Sequence, residues 1–373
     1  MEGELVVSAP GGEYAVIVGR GTYAEALPGI LSRLDPGGLA VVSHPSILEL
    51  HGNRLREALE PKGAPWGEPL WFAFPEGEEN KNLRTLEEGY RFLLREGFTR
   101  EGVILAFGGG VVGDLAGFLA ATYMRGVRYL QLPTTLMAMV DSSIGGKVGV
   151  DLPEGKNAVG TFWQPEAVLA DLELLDTLPR RELLGGLAEV AKYGFLYDAD
   201  ILEEMEGWPG GVPPSGYDLG GLVFRCAAHK ARVVERDERD LFGERALLNY
   251  GHTFGHALES STGYRLLRHG EAVALGMLMA ARLSELAGLA EADLWGKHRK
   301  VLFPLLGYVR PPEDIDTGKI LSAMEADKKR GRALRFVLLA RWQNPRLVES
   351  PPGVLVERAV GEVLAEWRRW GEA

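Results

Sequence analysis

Three of the chain's seven histidines fall between positions 252 and 269. His252 and His256 stand four apart in Asn249-Tyr250-Gly251-His252-Thr253-Phe254-Gly255-His256, so on a helix they share a face, as zinc ligands often do. His269 follows in His269-Gly270-Glu271-Ala272, at the head of another helical segment. Glu189 lies upstream in Gly186-Leu187-Ala188-Glu189-Val190-Ala191-Lys192, an acid inside an apolar helical stretch that needs a partner or a metal. Two histidines and a carboxylate make a catalytic zinc set with a position open for substrate. The same residue types also suit iron, cobalt or manganese. The competing reading has one histidine capping a helix and the others on the surface.

A second constellation is an anion cradle. The apolar run 103–107 is followed by Gly108-Gly109-Gly110-Val111-Val112-Gly113 and Asp114, then by a helical segment. Gly108, Gly110 and Gly113 satisfy G-x-G-x-x-G between a strand and a helix, the context in which backbone N–H groups approach a pyrophosphate. The plainer reading is a tight strand-to-helix turn. A dinucleotide fingerprint also expects an acid about 20 residues on, for the ribose. That window holds Arg125, Arg128 and Gln131 instead, which leaves Glu78 and Lys81 as candidates to hold the ribose, or as solvated loop charges.

A basic set surrounds these two. Lys147, Lys156 and the triplet Asp327-Lys328-Lys329 stand beside Gly, Asn or Asp, and Lys192, Lys230 and Arg245 add further cations. In a chain of net charge −11, cations kept beside turns suit a bound phosphate or carboxylate. Taken singly, each is a solvated surface charge.

These groups must be carried by a scaffold, and 373 residues favour two domains. Up to about residue 165, short apolar runs (14–18, 39–43, 70–74, 103–107) alternate with helical segments (24–34, 47–59, 83–96). That alternation predicts an α/β, Rossmann-like domain with a mostly parallel sheet, whose ligands lie at the carboxyl ends of the strands. Helical periodicity then dominates (179–196, 221–239, 246–261, 270–287, 292–302, 354–370), with a short apolar run at 333–340, so residues 166–373 read as a mainly α-helical domain. Cys226 is the single cysteine, which excludes an internal disulfide and a cysteine metal cluster. The acidic charge argues against nucleic acid and anionic membrane, and no leader or spanning run is apparent, so the expectation is a cytoplasmic protein.

With these residues laid out, the chain closely resembles the 3-dehydroquinate synthases. These are sugar-phosphate cyclases related in fold to glycerol and metal-dependent alcohol dehydrogenases. The likeness rests on Gly108 to Phe118, Ala121 to Gly126, Pro133 to Leu136, Asp141 to Lys147, Gly155-Lys156-Asn157, Ala188 to Lys192, Asn249 to His256 and His269-Gly270-Glu271, in that order along nearly the whole chain. It implies NAD over Gly109, Gly110, Val111 and Asp114, with Thr134 and Thr135 nearby, Glu78 and Lys81 at the adenosine end, and Thr177 as a further contact. Zinc, or cobalt, would be held by Glu189, His252 and His269. His256 would then be a neighbour in proton transfer, which replaces the simple i, i+4 reading. Asp141, Lys147, Asn157, Lys192, Lys230, Arg245, Asn249 and Lys328 would hold the hydroxyls, carboxylate and phosphate of the substrate, with Lys156 between cofactor and substrate. Arg125 resembles the arginine that reaches a partner subunit's phosphate site, which implies a homodimer. Two departures stand out: Ser43-His44-Pro45 replaces an acid common after the second strand, and Met139 stands where glutamine is common.

The implied reaction converts 3-deoxy-D-arabino-heptulosonate 7-phosphate into 3-dehydroquinate and phosphate, on the shikimate route. Transient oxidation by NAD acidifies a neighbouring C–H, phosphate leaves, the hydride returns, and ring opening and aldol closure follow. The alternatives are another cyclase, making deoxy-inosose or a valiolone from a substrate without a carboxylate, a net oxidoreductase of the glycerol dehydrogenase type, and a non-catalytic binding module.

Overall fold

Apolar runs bounded by glycine or proline supply the strands, and amphipathic stretches between them the helices. The computed structural model describes residues 2–59, 65–263, 265–290, 293–307, 309, 311, 315–329 and 334–372, without the side chains of 326–329 and 371–372. In chain order the strands are β1 (Gly3–Ala9), β2 (Gly12–Gly19), β3 (Leu39–Ser43), β4 (Leu70–Ala73), β5 (Val103–Gly108), β6 (Arg128–Pro133), β7 (Lys147–Leu152), β8 (Gly155–Phe162), β9 (Ala167–Asp171), β10 (Arg335–Leu339) and β11 (Pro345–Glu349). The helices are α1 (Thr22–Glu25), α2 (Leu27–Leu34), α3 (Pro45–Leu59), α4 (Leu83–Arg95), α5 (Gly110–Thr122), α6 (Arg180–Leu196), α7 (Ala199–Glu206), α8 (Gly220–Arg236), α9 (His252–Ser261), α10 (His269–Leu286), α11 (Leu294–Leu306), α12 (Thr317–Lys329) and α13 (Gly353–Glu372).

The chain divides into two compact units. Unit 1 is Met1–Pro179 with Leu219–Arg239, and unit 2 is Arg180–Asp218 with Asp240–Ala373. The sequence suggested a single cut near 165. Two elements account for the difference: β9 returns to pair with β2 and β6, and α8 comes back to pack on β1 and β2.

Unit 1 is built on a seven-stranded sheet in the order β1-β2-β9-β6-β5-β3-β4, parallel except for the β1–β2 hairpin. β3, β5 and β9 are buried along their whole length, as continuous apolar runs in a sheet covered on both faces should be. The chain leaves β3 toward β4 and leaves β5 the other way, toward β6 and β9. The β3/β5 border is therefore the topological switch point, where ligands of open α/β sheets bind. Gly108 and Ser43 end those two strands. An antiparallel hairpin, β7–β8, lies against α5 outside this sheet. The expected helix 24–34 is split into α1 and α2, with Pro28 in the first turn of the second, because proline cannot continue the hydrogen-bond ladder.

Unit 2 is helical, with the β10–β11 hairpin beside α9. The expected helix 246–261 instead begins as a 3₁₀ turn, Arg245–Asn249, and restarts as α9 after Gly251. Three helices, α6, α9 and α10, pack closely because glycines face backbone at their crossings. A Cβ on Gly270 would lie 2.3 Å from the Gly185 carbonyl oxygen, and one on Gly276 would lie 2.0 Å from that of Gly251. Charge pairs fix the same heads. Arg181 of α6 donates to both oxygens of buried Glu271 on α10 at 2.5 and 2.8 Å, and Arg268 pairs with Glu182.

Adding one methyl at Gly276 must drive α9 and α10 apart. Gly276→Ala should lower stability by about 1–3 kcal/mol, the range for overpacking. Gly221→Ala, whose methyl meets nothing within 4 Å, should leave it unchanged or higher. Thermal unfolding of both variants checks the pair, and an undisturbed melting temperature for Gly276→Ala would contradict the packing argument.

Candidate functional site

Unit 1 carries the dinucleotide-type residues. Gly109 caps α5 with no side-chain partner, so the first N–H groups, those of Gly110 and Val111 among them, face outward as anion donors. Thr134 and Thr135 follow β6, with the Thr134 N–H bonded to the Gly108 carbonyl at 3.0 Å. Thr135 Oγ1 accepts from Ala138 N at 3.2 Å and opens a π-helical turn, Ala138–Ser142, that carries Asp141. Two buried hydroxyls here have no hydrogen-bond partner among the described residues: Thr134 Oγ1 and Ser142 Oγ. Ser142 was given no role from sequence, yet its Oγ lies 3.1 Å from where a Gly110 Cβ would stand. Orphaned hydroxyls beside a turn too tight for side chains fit a bound polar group such as a pyrophosphate or ribose.

Lys81 organises the neighbouring surface. Its buried ammonium lies 2.7 Å from Glu78, 3.2 Å from Asp114 and 3.7 Å from Asp151, and it donates to Asn157 Oδ1 at 2.8 Å. One cation thus ties the turn Glu78–Asn80, helix α5 and the β7–β8 hairpin. Asp151 also accepts from the Asn157 N–H at 2.6 Å and holds that residue at φ +51°. Burial pushes Asp114 up to about 6 against the pull of Lys81, although 21% of its side chain is exposed. Burial opposes ionisation of Glu78 too, but Lys81 and Lys156 outweigh it and hold that carboxyl below its usual range. Lys81 itself is raised: burial disfavours the ammonium, but Asp114 and Glu78 outweigh that. The two partners shift in opposing senses because one ammonium is divided among three carboxylates. The lysine is stabilised by all of them, and Asp114 receives a share too small to offset its own burial.

Of the other residues singled out in unit 1, Lys230 on α8 pairs with Asp141, while Lys147 opens β7 on the surface and Lys156 is half-buried in β8. Thr177 bonds His51 Nε2 at 2.7 Å and the Leu174 carbonyl at 3.2 Å. Arg125 is exposed on a turn where Met124 and Arg125 both take left-handed φ, 46° and 66°. Ser43 and His44, at the switch point, spend their polar atoms on stitching strands. Ser43 Oγ donates to the Phe107 carbonyl at 2.6 Å, and His44 Nδ1 to that of Phe74 at 3.0 Å.

Unit 2 gathers the metal-type residues. Ligand atoms of Glu189, His252 and His269 all lie within 4.8 Å of one another. Glu189 Oε1 is 3.7 Å from His252 Nε2 and 3.8 Å from His269 Nε2. Tetrahedral zinc, with arms of ~2.0–2.1 Å, spaces its ligand atoms ~3.3–3.5 Å apart, so a small inward shift completes the set. The donor set carries three marks of a metal site. Both oxygens of Glu189 are buried without a hydrogen-bond donor in bonding geometry among the described residues, although Lys192 Nζ stands 2.5 Å away as an ion pair. The Nδ1–H of His252 donates to the Tyr250 carbonyl at 3.2 Å, which turns Nε2 toward Glu189. His269 presents Nδ1 to Glu259 at 3.4 Å, a carboxylate–histidine arrangement that fixes its ring. Burial, then Lys192 and the neighbouring histidines, hold His252 well below its usual pKa, so the ring keeps its lone pair for a metal.

His256 is exposed on α9, with its ring 5.7 Å from that of His252 and 6.2 Å from that of His269. Together with Glu259 and His269 it forms a second set of three ligand atoms within 4.8 Å. The first set has the stronger claim, because its carboxylate is the one left without a donor. Lys192 is buried beside Glu189, Arg245 is buried in the 3₁₀ turn, and Asn249 ends that turn on the surface. Lys328 falls in the last turn of α12, and its side chain lies outside the described residues. Tyr250, Glu259 and Ser142 went unnoticed as single residues in the sequence, since nothing in a lone polar residue shows what it touches.

Residues 71–185 match the family profile described as 3-dehydroquinate synthase N-terminal, and 186–330 the one described as 3-dehydroquinate synthase C-terminal. A curated 3-dehydroquinate synthase of Pelobacter propionicus is 44% identical over 336 residues, covering 89% of this chain and 92% of that protein. Among solved structures, a 2-epi-5-epi-valiolone synthase from Streptomyces hygroscopicus subsp. jinggangensis, with NAD+ and Zn2+ bound, superimposes with TM-score 0.82 at 26% identity, covering 97% of this chain and 99% of that one. A 2-deoxy-scyllo-inosose synthase shares the fold at TM-score 0.84 and 24% identity, covering 96% and 99%. No helix among the described residues is long and apolar enough to cross a membrane.

The Lys81 cluster yields a signed pH dependence. Unfolded, Asp114 ionises near 3.8, and folded near 6, so its share of stability is full below about 3.8 and is lost as pH rises through about 6. Asp114→Asn should therefore flatten the fall in urea midpoint between about pH 4 and 7. Lys81→Met should cost about 3–5 kcal/mol at pH 8, as removal of one buried partner does, and less at pH 5, where the carboxyls take up protons. An equal loss at both pH values would show that the three carboxylates do not share that lysine.

Proposed function

The chain belongs to the 3-dehydroquinate synthase family, and we propose that the two clusters just described divide that family's reaction between them. The enzyme converts 3-deoxy-D-arabino-heptulosonate 7-phosphate into 3-dehydroquinate and phosphate. Oxidation at a secondary alcohol acidifies the adjacent C–H, phosphate is eliminated, the ketone is reduced again, the ring opens and an intramolecular aldol step closes the carbocycle. The observation that carries the assignment is the buried carboxylate of Glu189, paired with Lys192 and facing the Nε2 atoms of His252 and His269, in a chain that matches both halves of the family.

NAD, when bound, supplies a reversible hydride acceptor, and a divalent metal, when bound, supplies a Lewis acid for the alcohol oxygen. Glu189, His252 and His269 would hold that metal, with zinc the first choice for an N/O set of this size and cobalt the second. The N–H groups of Gly110 and Val111 would cradle the pyrophosphate, and Thr134, Thr135, Ser142 and Asp114 would border it. Lys81 acts on the cofactor side by holding Glu78, Asp114 and Asn157 in place. Thr177 is a further cofactor contact.

The chain's own polar groups would orient the substrate. Lys192, held beside Glu189, keeps an ammonium where an oxyanion develops. Lys230 and Asp141 form a donor–acceptor pair suited to neighbouring hydroxyls. Lys147, Lys156 and Asn157 ride on the β7–β8 hairpin. Arg245 and Asn249 take the substrate carboxylate and a hydroxyl, Lys328 completes the anion set, and His256 moves a proton near the metal without ligating it. Arg125 would reach the phosphate site of a second copy, so sedimentation at twice 40.7 kDa is expected.

Incubation with the heptulosonate phosphate, catalytic NAD and zinc should release one phosphate per dehydroquinate with no net NADH. Release from sedoheptulose 7-phosphate or glucose 6-phosphate instead would assign a different cyclase. Glu189→Ala and His269→Ala should lose bound metal and essentially all turnover. His256→Ala should keep its metal and slow by ~10²-fold or more, as loss of a proton-transfer group does. Equal metal loss in His256→Ala would move the site to the second histidine set.

A further inference from the structure

His298 lies in unit 2, was not among the residues assigned above, and is completely buried. Its Nδ1 is 2.8 Å from the carbonyl of Leu294, an atom that can only accept, so Nδ1 carries the proton. Nε2 is then the acceptor, and the Tyr250 hydroxyl donates to it at 2.7 Å. Burial pushes the imidazole down to about 3, which keeps this neutral tautomer in place at any working pH. The ring also stacks flat on Phe195, with centroids 3.6 Å apart and planes 10° apart.

The two partners belong to, or lead directly into, two of the three helices that supply the metal set, α6 and α9. Phe195 sits near the end of α6, the helix of Glu189. Tyr250 precedes Gly251, whose φ of 82° turns the chain into α9, and its carbonyl takes the Nδ1 proton of His252. The placement of the Tyr250 ring therefore sets where that carbonyl lies, and the carbonyl sets which way His252 Nε2 points. Resting on the metal reading above, we propose that His298 is a positioning residue for the Glu189–His252–His269 set. It holds the Glu189 helix and the His252 turn in register through its stack on Phe195 and its bond with Tyr250. It touches neither metal nor substrate.

The test is the dissociation constant of zinc, measured on metal-stripped full-length protein by competition with a chelator, with melting temperature recorded beside it. His298→Leu keeps bulk but removes both hydrogen bonds, and should weaken zinc binding about 10-fold, the lower end of the loss seen when a supporting hydrogen bond to a ligand is removed. Tyr250→Phe keeps the ring and removes the donor, and should weaken it in the same direction. His298→Gln restores an acceptor for Tyr250 and should return affinity to within about threefold. If His298→Leu does not fold, Tyr250→Phe decides. Wild-type zinc affinity in Tyr250→Phe and His298→Leu, with Glu189→Ala losing the metal, overturns this inference and leaves His298 as packing. Zinc retained at full affinity by Glu189→Ala overturns the metal reading and this inference together.

Discussion

A carboxylate taken almost wholly out of water is among the least favourable things a folded chain can hold, and unit 2 is arranged around one. Glu189 is 1% exposed, and neither oxygen meets a donor in bonding geometry among the described residues. An ammonium one helical turn away meets part of its charge, and the Nε2 atoms of His252 and His269 approach the carboxylate from α9 and α10. That arrangement is stable once a cation completes it. The glycine crossings of α6, α9 and α10, the Arg181–Glu271 and Arg268–Glu182 pairs, and the buried Tyr250–His298 bond all hold the surrounding backbone so that these groups cannot relax apart.

Unit 1 solves a related problem with the signs reversed. There a buried lysine is the scarce charge, and three carboxylates and an amide converge on it. The gain is mechanical as well as electrostatic, since the four acceptors come from three separate stretches of chain. The hairpin carrying Lys147, Lys156 and Asn157 is fastened through Asp151 and Asn157 to the helix that begins at the glycine turn.

Much of this was legible because it depends on local pattern. β3 and the core of β5 follow from uninterrupted apolar runs, α4 and α10 from helical spacing, and the glycine turn from its place between strand and helix. Glu189, His252 and His269 stood out as scarce or misplaced residue types. What escaped depends on tertiary placement. The β7–β8 hairpin has no alternating pattern, because Gly149 and Gly160 let its strands approach where side chains would be needed for one. β9 hid beyond the expected boundary because a five-residue buried strand looks like any short apolar run. The Lys81 cluster draws on positions 78 to 157, and the His298 link joins three helices' worth of sequence, so no window of residues contains either. The i, i+4 spacing of His252 and His256 pointed to a helix face correctly, but a shared face does not say which residue the carboxylate approaches.

The interleaving of the units bears on how the chain is made. Unit 1 is not complete until α8 has been synthesised, and α6, which belongs to unit 2, is made before it. Glu189 therefore leaves the ribosome while its histidine partners are still roughly sixty to eighty residues away, a wait of several seconds at ~5–20 residues per second. Through that interval an apolar helix with an acid and a lysine at its centre has no core to enter. Unit 2 can form its charged centre only after translation of the strand-rich unit has ended, so the order of the chain places assembly of the metal-type cluster after unit 1 is complete.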